Sequence, residues 1–299
     1  MPPHRSTAIA LLLLTLCVGA AYEGLLFFEA RLEGGWQVCY IELPDGEPLP
    51  LTATPALDAE TPAFNGDADP TPDGGELVFT SNRSGEDELY RLQLLDNGKT
   101  ATVQQLTDSP GVQAFPALYP AGDELFYHSE GARSWQIYRR RLLTGETTLL
   151  TSTGDNLFPA VDAAGRCAYC STRDDNWELY LWDDATGEES RLTDNAAADL
   201  YPAFSPDGQE LVFSSKRGDG ESYDLYLLDL NDGSVELLLA DPAASLIYPA
   251  WAPGMILYHI QRGEDSRLGW LELESGQTGE FTFLPGVDLG HPAPAPAGE

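Results

Sequence analysis

The chain has 299 residues, of which 48 are Asp or Glu and only 16 are Lys or Arg, giving a formal net charge of -32 at pH 7. This charge excludes nucleic acid as an expected partner, because an acidic surface repels phosphate backbones and no basic stripe interleaved with aromatic residues is present. Only three cysteines follow residue 17, an odd number that does not indicate a disulfide framework.

The first 21 residues are typical of a secretory signal. His4 and Arg5 precede an apolar run, and small residues end it at Ala20 and Ala21. We therefore predict a signal peptide over residues 1–21, a periplasmic or secreted mature protein, and no stable membrane insertion after cleavage. Two alternatives stay open: the apolar run is kept as an anchor, or Cys17 carries a lipid.

One pattern recurs six times along residues 22–299. Its clearest copy reads YPAFSPDG at residues 201–208, followed by an apolar strand, a loop with Arg217 and a strand that ends at Tyr226. The residues that share the register of the first proline in this copy are Ala68, Pro116, Pro159, Pro202, Pro249 and Pro292. Their spacing of 43 to 48 residues suits propeller blades of four strands each.

We predict an all-β fold, because no apolar stripe of helical period follows residue 25. The fold is a single six-bladed β-propeller of four-stranded antiparallel blades, and we expect a monomer. The blade repeats cover about residues 22–54 together with 287–299, then 64–108, 112–153, 155–196, 198–241 and 245–285. The first copy lacks a first strand, so the C-terminal segment is expected to supply it and to close the ring in one blade.

The Pro-x-x-Ser-Pro-Asp-Gly pattern, an apolar strand and a Ser-Asn-Arg or Ser-Lys-Arg loop together resemble the WD40-like (PD40) repeats of the TolB-type propeller family. Propeller domains of tricorn-like and dipeptidyl-peptidase-like proteases carry similar repeats. The resemblance covers about residues 25–298 and is sharpest at 65–95 and 199–230. It implies an exported module that binds a protein or a peptide through its channel mouth or a loop face. Neither an α/β domain before the repeats nor a hydrolase domain after them is expected.

No catalytic motif is recognisable. The sequence contains no Gly-x-Ser-x-Gly elbow, no His-Glu-x-x-His, no phosphate loop and no dinucleotide fingerprint. We therefore assign no catalytic residue and favour a non-catalytic binding function. The alternative is an enzyme that processes a polysaccharide or peptide, with Asp67 and Asp199 as paired carboxylates in the channel. A third reading is a structural scaffold, with an exposed aromatic row around Trp135 and Trp177.

The candidate binding site is the mouth of the central channel. Three positions before the register residue, the first strands of the blades carry Asn65, Gln113, Asn156 and Asp199, then Leu246 and Leu289. Because first strands line a propeller channel, we expect the four polar side chains to converge at one mouth. Two positions after these residues lie four further candidates, Asp67, Tyr201, Tyr248 and His291. The predicted binding set is therefore Asn65, Asp67, Gln113, Asn156, Asp199, Tyr201, Tyr248 and His291.

Asp67 and Asp69 are candidate calcium ligands. The stretch 65–76 places carboxylate and amide oxygens at several positions of a calcium loop. Pro70 stands where an EF-hand needs Gly, so the interpretation is a calcium ion (Ca²⁺) held between Asp67, Asp69 and a neighbouring channel residue. No other cofactor is expected.

An arginine recurs in the loop between the second and third strands of the blades. Arg83 and Arg217 are examples. Repetition in every blade indicates a structural role, and we expect these arginines to pair with acids of the adjoining turns, such as Asp73 and Asp207.

Overall fold

The computed structural model describes residues 24–33, 35–43, 45–52, 64–95, 100–131, 134–218, 220–282 and 284–296. Within these ranges, 24 β-strands form six four-stranded antiparallel sheets and no α-helix occurs. The predicted all-β, six-bladed propeller is therefore confirmed. No helix in the described ranges is long and apolar enough to cross a membrane. The predicted signal peptide at residues 1–21 lies outside them.

Blade 1 contains the first and the last of the described strands, which pair antiparallel with each other. Its strands, from the axis outward, are β24 (Leu289–Pro296), β1 (Gly24–Leu32), β2 (Gly35–Leu43) and β3 (Leu49–Pro50). Blade 2 contains β4 (Asn65–Pro70), β5 (Glu76–Ser81), β6 (Glu88–Leu95) and β7 (Thr100–Gln105). Blade 3 contains β8 (Gln113–Leu118), β9 (Glu124–Glu130), β10 (Trp135–Arg141) and β11 (Thr147–Leu149).

The other three blades run from the axis outward in chain order. Blade 4 contains β12 (Asn156–Val161), β13 (Arg166–Asp174), β14 (Asn176–Asp183) and β15 (Glu188–Arg191). Blade 5 contains β16 (Asp199–Phe204), β17 (Glu210–Ser215), β18 (Asp224–Asp229) and β19 (Val235–Leu239). Blade 6 contains β20 (Ser245–Ala252), β21 (Met255–Arg262), β22 (Asp265–Glu272) and β23 (Thr278–Glu280).

The core lies between neighbouring blades. In β5, Leu77, Val78 and Phe79 are consecutive and all buried. Successive side chains of a strand point to opposite faces, so both faces of this strand must be covered. A continuous apolar run is typical of such a strand. The outermost strands β11 and β15 are exposed along their whole length, so burial decreases from the axis outward.

Pro-Asp-Gly turns join the first and second strands of blades 2 and 5. Gly74 and Gly208 adopt φ values of 66° and 68°, a left-handed conformation that glycine accepts without steric cost. Each glycine amide donates to the carbonyl three residues earlier, at 2.8 Å. The Asp73 carboxylate accepts a hydrogen bond from the Gly75 amide at 3.0 Å. These turns have the geometry that their sequence indicates.

Candidate functional site

Each innermost strand is bulged at the same place. In blade 3, for example, the pairing of β8 with β9 shifts between Ala114 and Ala117. One residue in each bulge has a φ between 35° and 56°: Asp67, Phe115, Phe158, Tyr201, Tyr248 and His291. Positive φ is uncommon for residues other than glycine, so its sixfold recurrence shows that the packing of the blades imposes it. We call these six residues the bulge ring.

The side chains of the bulge ring meet on the propeller axis. The centroids of the Tyr201 and Tyr248 rings are 4.0 Å apart, and those of Tyr248 and His291 are 3.6 Å apart. Phe115 and Phe158 are in edge contact at 4.7 Å. Phe115 also lies 5.9 Å from Tyr248, which belongs to the blade on the opposite side. The rings therefore fill the channel at this level.

A cavity of about 300 Å³ lies over the bulge ring, along the later part of the innermost strands. Its walls repeat a proline and an alanine from blade to blade. The alanines are Ala117, Ala160, Ala203, Ala250 and Ala293. In blade 2 the position of this alanine is occupied by Asp69, which also lines the cavity. The cavity thus has an aromatic floor, apolar walls and one acidic side.

The bulge ring is held from outside by side chains of the neighbouring blades. The amide of Phe115 donates to Thr80 Oγ1 at 3.2 Å, and the amide of Phe158 donates to His128 Nδ1 at 3.2 Å. Burial lowers the pKa of His128 to about 3, so this imidazole is neutral and accepts the bond. The equivalent His259 is also buried, and both of its ring nitrogens lack a hydrogen-bond partner among the described residues.

Between blades 1 and 2, two bulge-ring residues, His291 and Asp67, form a cluster with Glu29 of strand β1. Nδ1 of His291 lies 2.8 Å from Glu29 Oε1 and 3.0 Å from Asp67 Oδ1. The Asp67 amide also donates to Glu29 Oε1, at 2.6 Å. Burial alone would lower the pKa of His291, but the two carboxylates raise it to about 10. Burial raises the pKa of Asp67. At Glu29 the contact with His291 outweighs burial, so the pKa of Glu29 is lowered.

Asp69 stands apart from this cluster. Its Oδ2 accepts a hydrogen bond from the Leu118 amide at 2.6 Å, and burial raises its pKa to about 7. The described residues that group with Asp67 in metal-ligand geometry are Glu29 and His291, not Asp69. Calcium prefers oxygen ligands, and here the protonated imidazole of His291 already contacts both carboxylates. The predicted calcium ligands Asp67 and Asp69 are therefore not brought together in such a group, and calcium binding remains a prediction.

The structure places only half of the predicted binding set at the cavity. Asp67, Tyr201, Tyr248 and His291 line it. The other four side chains are buried away from the mouth where we expected them: Asn65, Gln113, Asn156 and Asp199. The bulge is the physical reason, because it turns the bulge-ring residue toward the axis and leaves the residue two positions earlier packed inside the blades.

Three of these four buried polar residues bind a loop arginine. Arg83 Nη2 donates to Asn65 Oδ1 at 2.8 Å, and Arg173 Nη2 donates to Asn156 Oδ1 at 3.1 Å. In blade 5 the corresponding bond joins Arg217 to the Asp199 carboxylate. The expectation that Arg83 and Arg217 pair with turn acids such as Asp73 and Asp207 was wrong, because the arginines reach inward instead. In blades 2, 4 and 5 the arginine thus makes a structural contact, as predicted.

Gln113 has the same buried position in blade 3. Its Nε2 donates to the Gly111 carbonyl at 2.7 Å and to Ser129 Oγ at 3.3 Å. Asp199 is likewise enclosed, by Ser215, Asn195 and Arg217. Because Asp199 does not line the cavity, the structure does not bring it together with Asp67 there as the enzyme alternative requires.

No protein-family model matches the sequence. Among curated proteins, a TolB homologue of Chlorobium chlorochromatii is 35% identical over 144 residues, which are 48% of this chain and 32% of that protein. The chain thus spans about a third of this relative. Among solved structures, TolB of Acinetobacter baumannii matches 92% of this chain and 67% of its own, with a TM-score of 0.78 and 19% identity.

A puromycin-hydrolysing peptidase of Mycobacterium tuberculosis has a similar propeller. The match covers 88% of this chain and 45% of the peptidase, with a TM-score of 0.63 and 15% identity. Identity this low shows the fold alone. The sequence match to a TolB homologue over 144 residues and the six-bladed fold together support a TolB-type β-propeller domain.

Proposed function

We propose that this chain is an exported, non-catalytic binding module that receives a short segment of a protein partner in the cavity over the bulge ring. The observation that carries the proposal is the shape of the channel. The bulge ring closes it midway, so one side is a blind cavity of about 300 Å³ rather than a pore. Concave sites with apolar walls and a few polar groups are the usual form of binding sites.

The residues that face the cavity also support binding. Phe115, Phe158, Tyr201 and Tyr248 are half-buried and line the cavity. Aromatic surface of this kind is enriched at protein interfaces, because it offers a large contact area with few rotatable bonds. The positive φ values add a second argument, since strained backbone is concentrated at functional sites.

Export and a periplasmic location belong to the same proposal. The signal-like sequence of residues 1–21 and the similarity to TolB homologues support both. We propose a protein partner on the same grounds, and the acid excess favours one that is not itself strongly acidic. The enzyme alternative has a peptidase among its fold neighbours in its favour, but of its two predicted carboxylates, Asp67 and Asp199, only Asp67 lines the cavity.

The test is capture of a partner by a protein whose cavity is blocked. Ala160 lines the cavity and is half-buried, so Ala160→Trp should fill part of the cavity from one wall. Leu143→Trp is the matched control, because Leu143 is 96% exposed in an outer turn. Wild type and Leu143→Trp should capture the same partner from the periplasmic or culture-fluid extract, and Ala160→Trp should not. Capture by all three proteins would place binding elsewhere on the propeller.

A further inference from the structure

We propose that the cavity selects a basic side chain, lysine or arginine, of the partner segment. This inference rests on the proposed function and names the chemistry of its ligand. Its starting point is blade 2, where Ala68 and Asp69 replace the Pro-Ala pair of the cavity wall. Five blades present an alanine at this position and blade 2 presents Asp69. A change confined to one blade is not required by the repeat, so the carboxylate needs an explanation of its own.

The neighbours of Asp69 leave part of its carboxylate free for a ligand. Oδ2 accepts the Leu118 amide, and no hydrogen bond or ion pair to a cationic side chain is found for Asp69 among the described residues. A cationic group placed in the cavity would supply the missing partner and form a charge-assisted hydrogen bond.

The rest of the lining also favours a cation. None of the described residues that line the cavity is lysine or arginine. The cluster below adds two carboxylates, Glu29 and Asp67, against the single imidazolium of His291. Aromatic rings form the floor, and their faces attract cations, with guanidinium and ammonium groups as the usual ligands. The walls of alanine and proline suit the aliphatic stem of lysine or arginine.

The cavity is large enough to hold one long side chain. A volume of about 300 Å³ is at the lower end of the range for small-molecule pockets. It is closed at the bottom by the bulge ring, so a segment enters from one side and cannot thread through. A single long side chain that reaches down from a bound segment fits this shape and brings its charged end to Asp69.

The experiment uses capped amino acids as probes and the mature propeller as receptor. N-acetyl-arginine and N-acetyl-lysine methylamides are compared with N-acetyl-citrulline and N-acetyl-norleucine methylamides, which are their neutral isosteres. Binding is measured by NMR titration. We expect the wild type to bind each basic probe at least about tenfold more tightly than its neutral isostere, which is a modest value for one charge-assisted contact.

Asp69→Asn tests the residue. Asparagine keeps an oxygen that can accept the Leu118 amide, so the variant should fold, and we expect it to lose the preference for the basic probes. Asp73→Asn is the matched control, because it removes one charge from the adjoining turn of the same blade but does not line the cavity. It should bind like the wild type.

Three results would overturn the inference: equal binding of basic and neutral probes, no binding of either basic probe up to its solubility limit, or a preference that survives in Asp69→Asn. These outcomes are distinguishable from failure of the proposed function. If Ala160→Trp abolishes partner capture and the basic probes nevertheless show no preference, the cavity binds a partner segment by other chemistry and only the inference is lost.

Discussion

Replacing His291 with phenylalanine should destabilise the propeller by about 3–5 kcal/mol, the usual cost of removing one partner from a buried ion pair. Phe115 occupies the equivalent bulge-ring position in blade 3, so the ring itself is tolerated there. What disappears is the cation 2.8 Å from Glu29 and 3.0 Å from Asp67. Both carboxylates are more than nine-tenths buried, so His291→Phe leaves them without compensation.

The destabilisation should depend on pH, and the pKa shift fixes the sign. An unfolded histidine titrates near pH 6.5, whereas the carboxylates overcome burial and raise the pKa of His291 in the folded protein to about 10. A raised histidine pKa stabilises the fold fully below the unfolded value and is lost as pH rises through the folded value. His291→Phe should therefore cost most near pH 6 and progressively less as the pH approaches 10.

The assay is urea unfolding of the mature protein at a series of pH values. Tyr201→Phe, a change of ring within the same bulge ring that leaves the charges intact, serves as the control. The double variant Glu29→Gln/His291→Phe should recover part of the loss, because it removes one uncompensated carboxylate. A cost below about 1 kcal/mol at pH 6, or one that does not change up to pH 10, would refute the argument, since such values are typical of exposed pairs.

Three further results are expected. Arg217→Ala should cost about 3 kcal/mol in urea unfolding because it leaves Asp199 buried without its cation. Arg141→Ala should cost much less, because Arg141 forms its ion pairs at the exposed surface. Thiol reagents should modify the following cysteines only after unfolding, because burial raises their pKa: Cys39, Cys167 and Cys170. Relative to Asp69→Asn, the wild type should lose stability in thermal unfolding as pH rises from about 4 to about 7, because the raised pKa of Asp69 favours its neutral form.

The repeat in the sequence predicts the fold because each of its six copies must meet the same structural requirements. Each blade needs a tight turn after its first strand and a second strand covered on both faces. Pro-Asp-Gly at 206–208 meets the first demand, and the continuous apolar run 211–213 meets the second. Agreement of these local signals over six copies leaves few alternatives to a propeller.

The channel site could be predicted only in part, because the alternating pattern expected for a regular strand does not reveal a bulge. A residue before proline normally prefers extended backbone, yet Phe158 and Tyr201 precede prolines and are left-handed. With a regular strand assumed, Asn156 was placed at the mouth, whereas the bulge leaves it inside the blade. The available signal was the near-constant aromatic character of the bulge ring.

The cavity depends on the closure of blade 1. Strand β24 supplies His291 to the floor and Ala293 to the wall, and it is held by its pairing with β1. The same His291 joins Glu29 in blade 1 to Asp67 in blade 2, so one side chain takes part in closure, in the contact between blades and in the floor of the site. The stability of the fold and the shape of the cavity are thus coupled here, because a change that loosens this strand also removes one side of the cavity.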